Sequence, residues 1–194
     1  MNGNSMLSSP NKILWEYFDS LRKLNIEAKN ALTPNLCRQH SALAVIMAVT
    51  AAEVFLNLWF RVRVEELHST EKRDIFLKEL SERRSLDYKL KKWPMRYLNK
   101  TLNTSSGSGK ELDDLKKLRN SIVHFTSSHE TVEYGDVAIH GLANTTDYDN
   151  LTCKEAEWAL LTAENFVAEI FKLAGNSNQN ILQMLHLWIG RLPT

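Results

Sequence analysis

Apolar residues recur every three to four positions along nearly the whole chain. "NKILWEYFDSLRKLNIEAK" sets Leu14, Phe18, Leu21 and Leu24 at such steps, which predicts an amphipathic helix. Pro34 in "ALTPN" ends it, and a long second helix is predicted over about 36–66. "STEKRDIFLKELSERR" opens on Ser69, a good N-cap, with Lys72 rather than an acid three residues on. Ile75, Phe76, Leu77 and Leu80 supply its apolar side. "SLDYKLKKWPMRYLNKTL" predicts a short helix broken or kinked at Pro94, which lacks an N–H and crowds the preceding turn. "NTSSGSGKE" has the composition of a flexible loop, placed at 103–110.

A fifth helix follows over about 110–125, with Leu115, Leu118, Ile122 and Phe125 as its core face. The β-branched run "TVEYGDVAIHG" predicts a short strand or hairpin near 131–141. "TCKEAEWALLTAENFVAEIFKLAG" is a helix with Thr152 as N-cap, Glu155 closing a capping box and Gly175 ending it. A last helix spans about 180–192. No repeat and no linker divides the pattern. The expectation is an all-α fold, one helical bundle over 1–194 with residues 1–10 as a flexible N-terminus.

The stretch "LAVIMAVTAAEVFLNLWF", residues 43–60, is long and apolar enough to raise a membrane span. Glu53 and Asn57 interrupt it, and an uncompensated acid in lipid is costly. A buried central helix is therefore expected, with no membrane partner. Its polar exceptions, Thr50, Glu53 and Asn57, with Arg61 beyond them, follow at steps of three, four and four, which makes one polar stripe. Such a stripe meets water, a second polar stripe or a ligand, because unpaired buried polar groups cost roughly 1–3 kcal/mol each.

Composition changes this picture little. At 194 residues, 43% hydrophobic and 24% charged, the chain is an ordinary globular length and mix. A net charge of +1 excludes a global basic field of the kind that nucleic-acid binders use. The charge is uneven, however. Residues 72–100 hold ten Lys/Arg against four Asp/Glu, and 126–170 hold nine acids against Lys154. The basic stretch interleaves Tyr88, Trp93 and Tyr97, a composition that could serve phosphate contacts and base stacking, but a solvated face with aromatic core anchors is the expected reading. Cys37 and Cys153 have no metal-ligand spacing. His129, His140 and His186 are scattered, and no metal or other cofactor is expected. The N-terminus lacks a basic segment followed by an apolar core, so the expected location is cytoplasmic. The "GSGK" tetrapeptide is not a phosphate-binding Walker loop, because Thr104 and Glu111 stand where glycine and Ser/Thr are needed.

The densest chemistry lies in "RNSIVH", residues 119–124. On a helix, Asn120 and His124 share a face and Lys116 sits one turn before them. Arg119 stands about 140° from His124. A histidine exchanges protons near neutral pH, and an arginine holds phosphate oxygens with two parallel hydrogen bonds. Together they suit cleavage of RNA by its own 2′-hydroxyl, a nucleophile DNA lacks. On spacing alone the signal is weak, because Arg-x4-His recurs by chance and a polar helix face is usually just solvated.

The Arg119-Asn120-x3-His124 pattern, late in an all-α chain, resembles the HEPN superfamily, whose motif is Arg, a polar residue, and a His a few positions on. "AVTAAEVFLNLWF" is similar to that family's apolar second helix with its embedded acid, and "SLDYKLKKWPMRYL" to the segment before the motif helix. The resemblance implies a metal-independent endoribonuclease of toxin or defence type, with RNA as substrate and an antitoxin or defence partner. It implies a homodimer in which Arg119 of one chain works with His124 of the other. Arg119 would bind phosphate, His124 would be the acid/base group, and Asn120 would position them. Glu53, Asn57, Arg61 and Lys116 would be supporting or RNA-binding residues. Thr126 replaces a tyrosine that one toxin group carries two residues after the histidine. Other members of the family are non-catalytic nucleotide- or partner-binding modules.

Overall fold

The computed structural model describes residues 9–67, 70–124, 132–139 and 143–191. Eight helices and one hairpin make up the described residues: α1 Pro10–Lys29, α2 Pro34–Leu67, α3 Thr70–Ser81, α4 Leu86–Leu98, α5 Gly107–Val123, β1 Val132–Tyr134, β2 Val137–Ile139, α6 Thr146–Asp149, α7 Cys153–Leu173 and α8 Asn178–Ile189. The all-α expectation holds, and the antiparallel hairpin falls where the β-branched run predicts it, with Glu133 opposite Ala138.

The long α2 is the centre. It packs most extensively against α1 and α7, and less against α3, α4 and α5. Ala44, Ala48, Ala51 and Ala52 are buried and let neighbouring backbones approach, while Phe55, Trp59 and Phe60 fill the far half. Phe55 meets Phe171 edge-on at 5.4 Å and Trp188 at 6.3 Å between ring centroids. Phe60 meets Trp93 at 5.7 Å and Tyr97 at 5.6 Å, which carries the aromatic core across to α4. By length and composition alone α2 would also cross a membrane, but slightly more than half of its apolar window is buried inside the protein.

The ends of α7 are as read from sequence. Thr152 Oγ1 accepts from the Lys154 N–H, Glu155 accepts from the Thr152 N–H at 2.7 Å, and Gly175 follows with φ of 90°. Three boundaries differ. α4 runs unbroken through Pro94, its last turn closed by Asn99 in the left-handed region. Proline here gives up the hydrogen bond to the Leu90 carbonyl, and the helix still continues for one more turn. α8 begins at Asn178, capped by Ser177, and stops at Gly190. The expected N-cap Ser69 and the core position Phe125 lie outside the described residues, as do Thr126, His129 and His140.

The third difference is the "NTSSGSGKE" segment, expected as loop over 103–110. Only its first half is loop, because α5 already starts at Gly107. Asn103 organises the turn, with Oδ1 accepting from the Ser105 and Ser106 N–H groups at 2.8 and 3.2 Å. Gly109 is a packing residue: a Cβ there would stand 2.2 Å from the Asn103 carbonyl oxygen. Gly109→Ala therefore forces the turn and helix apart, and a loss of roughly 1–3 kcal/mol is expected in urea unfolding. Almost none is expected for Gly107→Asn, whose φ of 63° asparagine tolerates.

Candidate functional site

The last turns of α5 are held onto the bundle by Leu112, Leu115 and Ile122, all buried, with Leu118 packed beside them. Arg119 is half-buried, and Asn120 and His124 are exposed. His124 is the residue at which the helix ends. Its N–H still donates to the Asn120 carbonyl at 2.8 Å, but its φ and ψ are −115° and 72°. The change in φ turns its Cβ by about 50° about the N–Cα bond relative to a helical residue. The angle of about 140° from Arg119 is that of an unbroken helix, and His124, as the C-cap, no longer keeps helical backbone angles.

Electrostatics divides the helix in two. Before Leu118 the lysines are consumed in pairs: Lys110 with Asp114, Lys117 with Asp113 at 2.8 Å and Asp114 at 3.3 Å, and Lys116 with Asp113 at 2.7 Å. Lys116 also binds Asp87 at the start of α4 and is mostly covered. Burial alone would lower the Lys116 ammonium, but its hydrogen bonds to the Asp113 and Asp87 carboxylates outweigh it and leave its pKa raised. After Leu118 the pairing stops. Among the described residues, Arg119, Asn120 and His124 have no side-chain hydrogen bond or ion pair, to each other or to anything else. These three lie in the last turns of α5 without touching one another through hydrogen bonds, and Lys116 is tied to the scaffold below them.

The α2 stripe is not one unit. Taking Thr50 as reference, 100° per residue puts Leu43, Asn57 and Arg61 within about 20° of it and Glu53 about 60° aside. The structure follows that division. Thr50, Asn57 and Arg61 are on the solvent seam, and the Thr50 hydroxyl donates back to the Ile46 carbonyl at 2.8 Å. Glu53 turns instead towards α4, where it accepts from Lys89 Nζ at 2.5 Å. The Lys89 ammonium is also 5.4 Å from the Trp93 ring centre, and its side chain is only 7% exposed. No hydrogen bond or ion pair among the described residues links Glu53, Asn57 or Arg61 to the α5 set.

Sequence reading passed over Lys89, Asp87 and Asp113, the residues that fix Glu53 and Lys116. Asp87 lies 29 residues from Lys116 in the chain, so no local spacing announces it. Asp113, three residues before Lys116, was visible as a helical pair. Hydrogen bonds from Lys116 and then Lys117 hold the Asp113 carboxyl down, from the ordinary 3.8 to about 2, against a smaller opposing effect of burial. A folded-state pKa below the unfolded value stabilises the fold above the unfolded pKa, and that contribution fades as pH falls through the folded value. The melting-temperature gap between wild type and Asp113→Asn should accordingly be open at about pH 6 and shrink steadily between about pH 4 and pH 2. A gap that stayed constant over that range would show that the pair adds nothing.

No protein-family model, no curated protein and no solved structure matches this chain.

Proposed function

We propose that this chain is a metal-independent endoribonuclease of HEPN type, acting as a cytoplasmic homodimer in toxin or defence biology. The observation that carries the reading is the late α5 set, Arg119, Asn120 and His124. It is an Arg-x4-His motif at the end of a helix, and its polar side chains stay unpaired where the lysines of the preceding two turns are each neutralised.

The chemistry needs nothing beyond those groups, the substrate and water. His124 removes the proton of an RNA 2′-hydroxyl, whose oxygen forms a bond to the adjacent phosphorus. The bond from phosphorus to the 5′-oxygen breaks, and that oxygen leaves with a proton taken from water. The imidazolium then returns its proton to solvent. The products are a 2′,3′-cyclic phosphate and a 5′-hydroxyl. Arg119 holds the non-bridging oxygens as charge develops on them, and the Asn120 amide orients the phosphate. Asn57 and Arg61, exposed and unpaired on α2, are available for backbone contacts. Glu53 and Lys116 serve the scaffold through their ion pairs.

Purified protein incubated with total cellular RNA in EDTA should generate fragments with cyclic phosphate ends. His124→Ala should slow this by roughly 10²–10⁴-fold. Its melting temperature should not change, since the side chain is exposed and unpaired. Failure of the wild type to cleave, with RNA binding intact, would assign the fold to a non-catalytic binding module instead.

A further inference from the structure

A sizeable cleft lies away from the motif. It lies along α4 and the α3–α4 turn, encloses about 560 Å³, and is bounded by Arg84, Tyr88, Lys91 and Lys92 over a floor of buried Trp93 and Tyr97. That volume is in the range that holds a nucleotide-sized ligand. Tyr88, Lys91, Lys92 and Met95 lie three or four residues apart, so one face of α4 presents a ring, two ammoniums and a thioether together. All four are exposed.

The charges of the cleft are sorted. Arg96 forms a two-pronged pair with Glu79 at 2.7 and 3.1 Å, and Arg84 pairs with Glu82. That cancels two of the four cations with both acids of the lining. Lys91 and Lys92 are left without a carboxylate partner among the described residues. Two unpaired ammoniums beside an exposed aromatic ring are the elements for binding phosphate and a flat base. The Arg84 guanidinium already lies 5.0 Å from the Tyr88 ring centre, so one face of the ring is backed and the site is preorganised for stacking.

Lys91 joins this cleft to the motif helix. It also lines a second cavity of about 250 Å³ with Asp87, Thr104, Asp113 and Lys116. Lys116 is one helical turn before Asn120. Lys91 thus stands between the α4 cleft and a cavity that reaches Lys116 of α5, where Asp87 and Asp113 already neutralise the lysine.

We propose that the α4 cleft holds a nucleotide of a single-stranded RNA, with phosphates on Lys91 and Lys92 and an unpaired base on Tyr88, next to the motif but distinct from it. The choice of a strand rather than a free nucleotide rests on the nuclease reading of α5. Binding is therefore measured in His124→Ala protein, so that loss of cleavage and loss of binding are read separately.

The probe is a fluorescein-labelled single-stranded RNA of mixed sequence, about twelve nucleotides long and within the span such grooves track, followed by anisotropy. Lys91→Ala/Lys92→Ala should weaken binding at least about tenfold and flatten the slope of log affinity against log salt by about 1–1.5, the loss of two single-strand phosphate contacts. Tyr88→Ala should weaken it several-fold with the slope unchanged, because stacking releases no counterions. Lys12→Ala/Lys23→Ala, on α1, is the control and should bind as the parent does. Equal affinity of the α4 variants and the parent would overturn the site, as would no binding by the parent at micromolar concentration. Equal affinity for a duplex of the same sequence would overturn the stacked, unpaired base. Displacement by micromolar adenosine monophosphate would overturn the strand and give the cleft to a free nucleotide.

Discussion

Glu53→Ala is expected to lower the unfolding free energy by roughly 2–4 kcal/mol, the largest loss from any single charged residue described above. The reason lies in its partner. Lys89 reaches in from α4 with 7% of its side chain exposed, whereas Glu53 is 33% exposed. Removing Glu53 strands an ammonium beside the Trp93 ring with no carboxylate and little water. Removing Lys89 instead leaves a carboxylate that solvent already reaches. Lys89→Met should therefore cost less, about 1 kcal/mol, since the thioether fills the same volume against Trp93 without a charge to solvate. The double variant Glu53→Ala/Lys89→Met should be more stable than Glu53→Ala alone. Urea unfolding of the four proteins near neutral pH gives the full cycle, and for a chain of this length 1 kcal/mol corresponds to about 2–4 °C in melting temperature. Equal losses from the two single variants would mean that Lys89 escapes to solvent once Glu53 is gone. The same experiment bears on function, because it tests whether Glu53 is part of the framework under the motif or a group held ready for substrate.

That asymmetry also marks the boundary of what the sequence reveals. Elements built by local rules were legible: the capping box of Thr152 and Glu155, the apolar spacing of Leu14, Phe18 and Leu21, and the hairpin over β1 and β2. The start of α5 was not, because glycine and serine read as loop by composition, while Gly109 is there to let the helix touch the Asn103 carbonyl. The polar stripe of α2 was legible as a stripe, but not the division within it. Glu53 stands about 60° in phase from Thr50, and a residue 36 positions away decides what it does. The motif itself was fully visible in sequence. What sequence could not supply was the contrast around it: Asp87, from a separate helix, helps occupy Lys116, and that leaves Arg119, Asn120 and His124 as the unpaired polar groups on the end of α5. The same sorting of charges on α4 leaves Lys91 and Lys92.

Mixing two inactive proteins should restore RNA cleavage to about one quarter of the wild-type rate, if the site is shared across a twofold axis. The proteins are Arg119→Ala and His124→Ala, each expected to be inactive alone. After exchange of subunits at equal concentration, about half of the dimers pair one chain of each kind. In such a dimer one composite site has lost both the arginine and the histidine and is dead. The other combines the intact Arg119 of one chain with the intact His124 of its partner and is whole. Half of the dimers with half of their sites gives the quarter. If each chain uses its own Arg119 and His124, every site in the mixture carries a lesion and no activity returns. The α5 geometry makes this a sharp test. Arg119 is about 140° from the helical position of His124, and the two side chains share no hydrogen bond. A cis site would need the arginine to bend round the end of its own helix, whereas a trans site needs only that two α5 ends face each other. Light scattering on the mixture is read in parallel. A monomer at micromolar concentration with wild-type cleavage would exclude the shared site, and a dimer that regains a quarter of the rate would establish it.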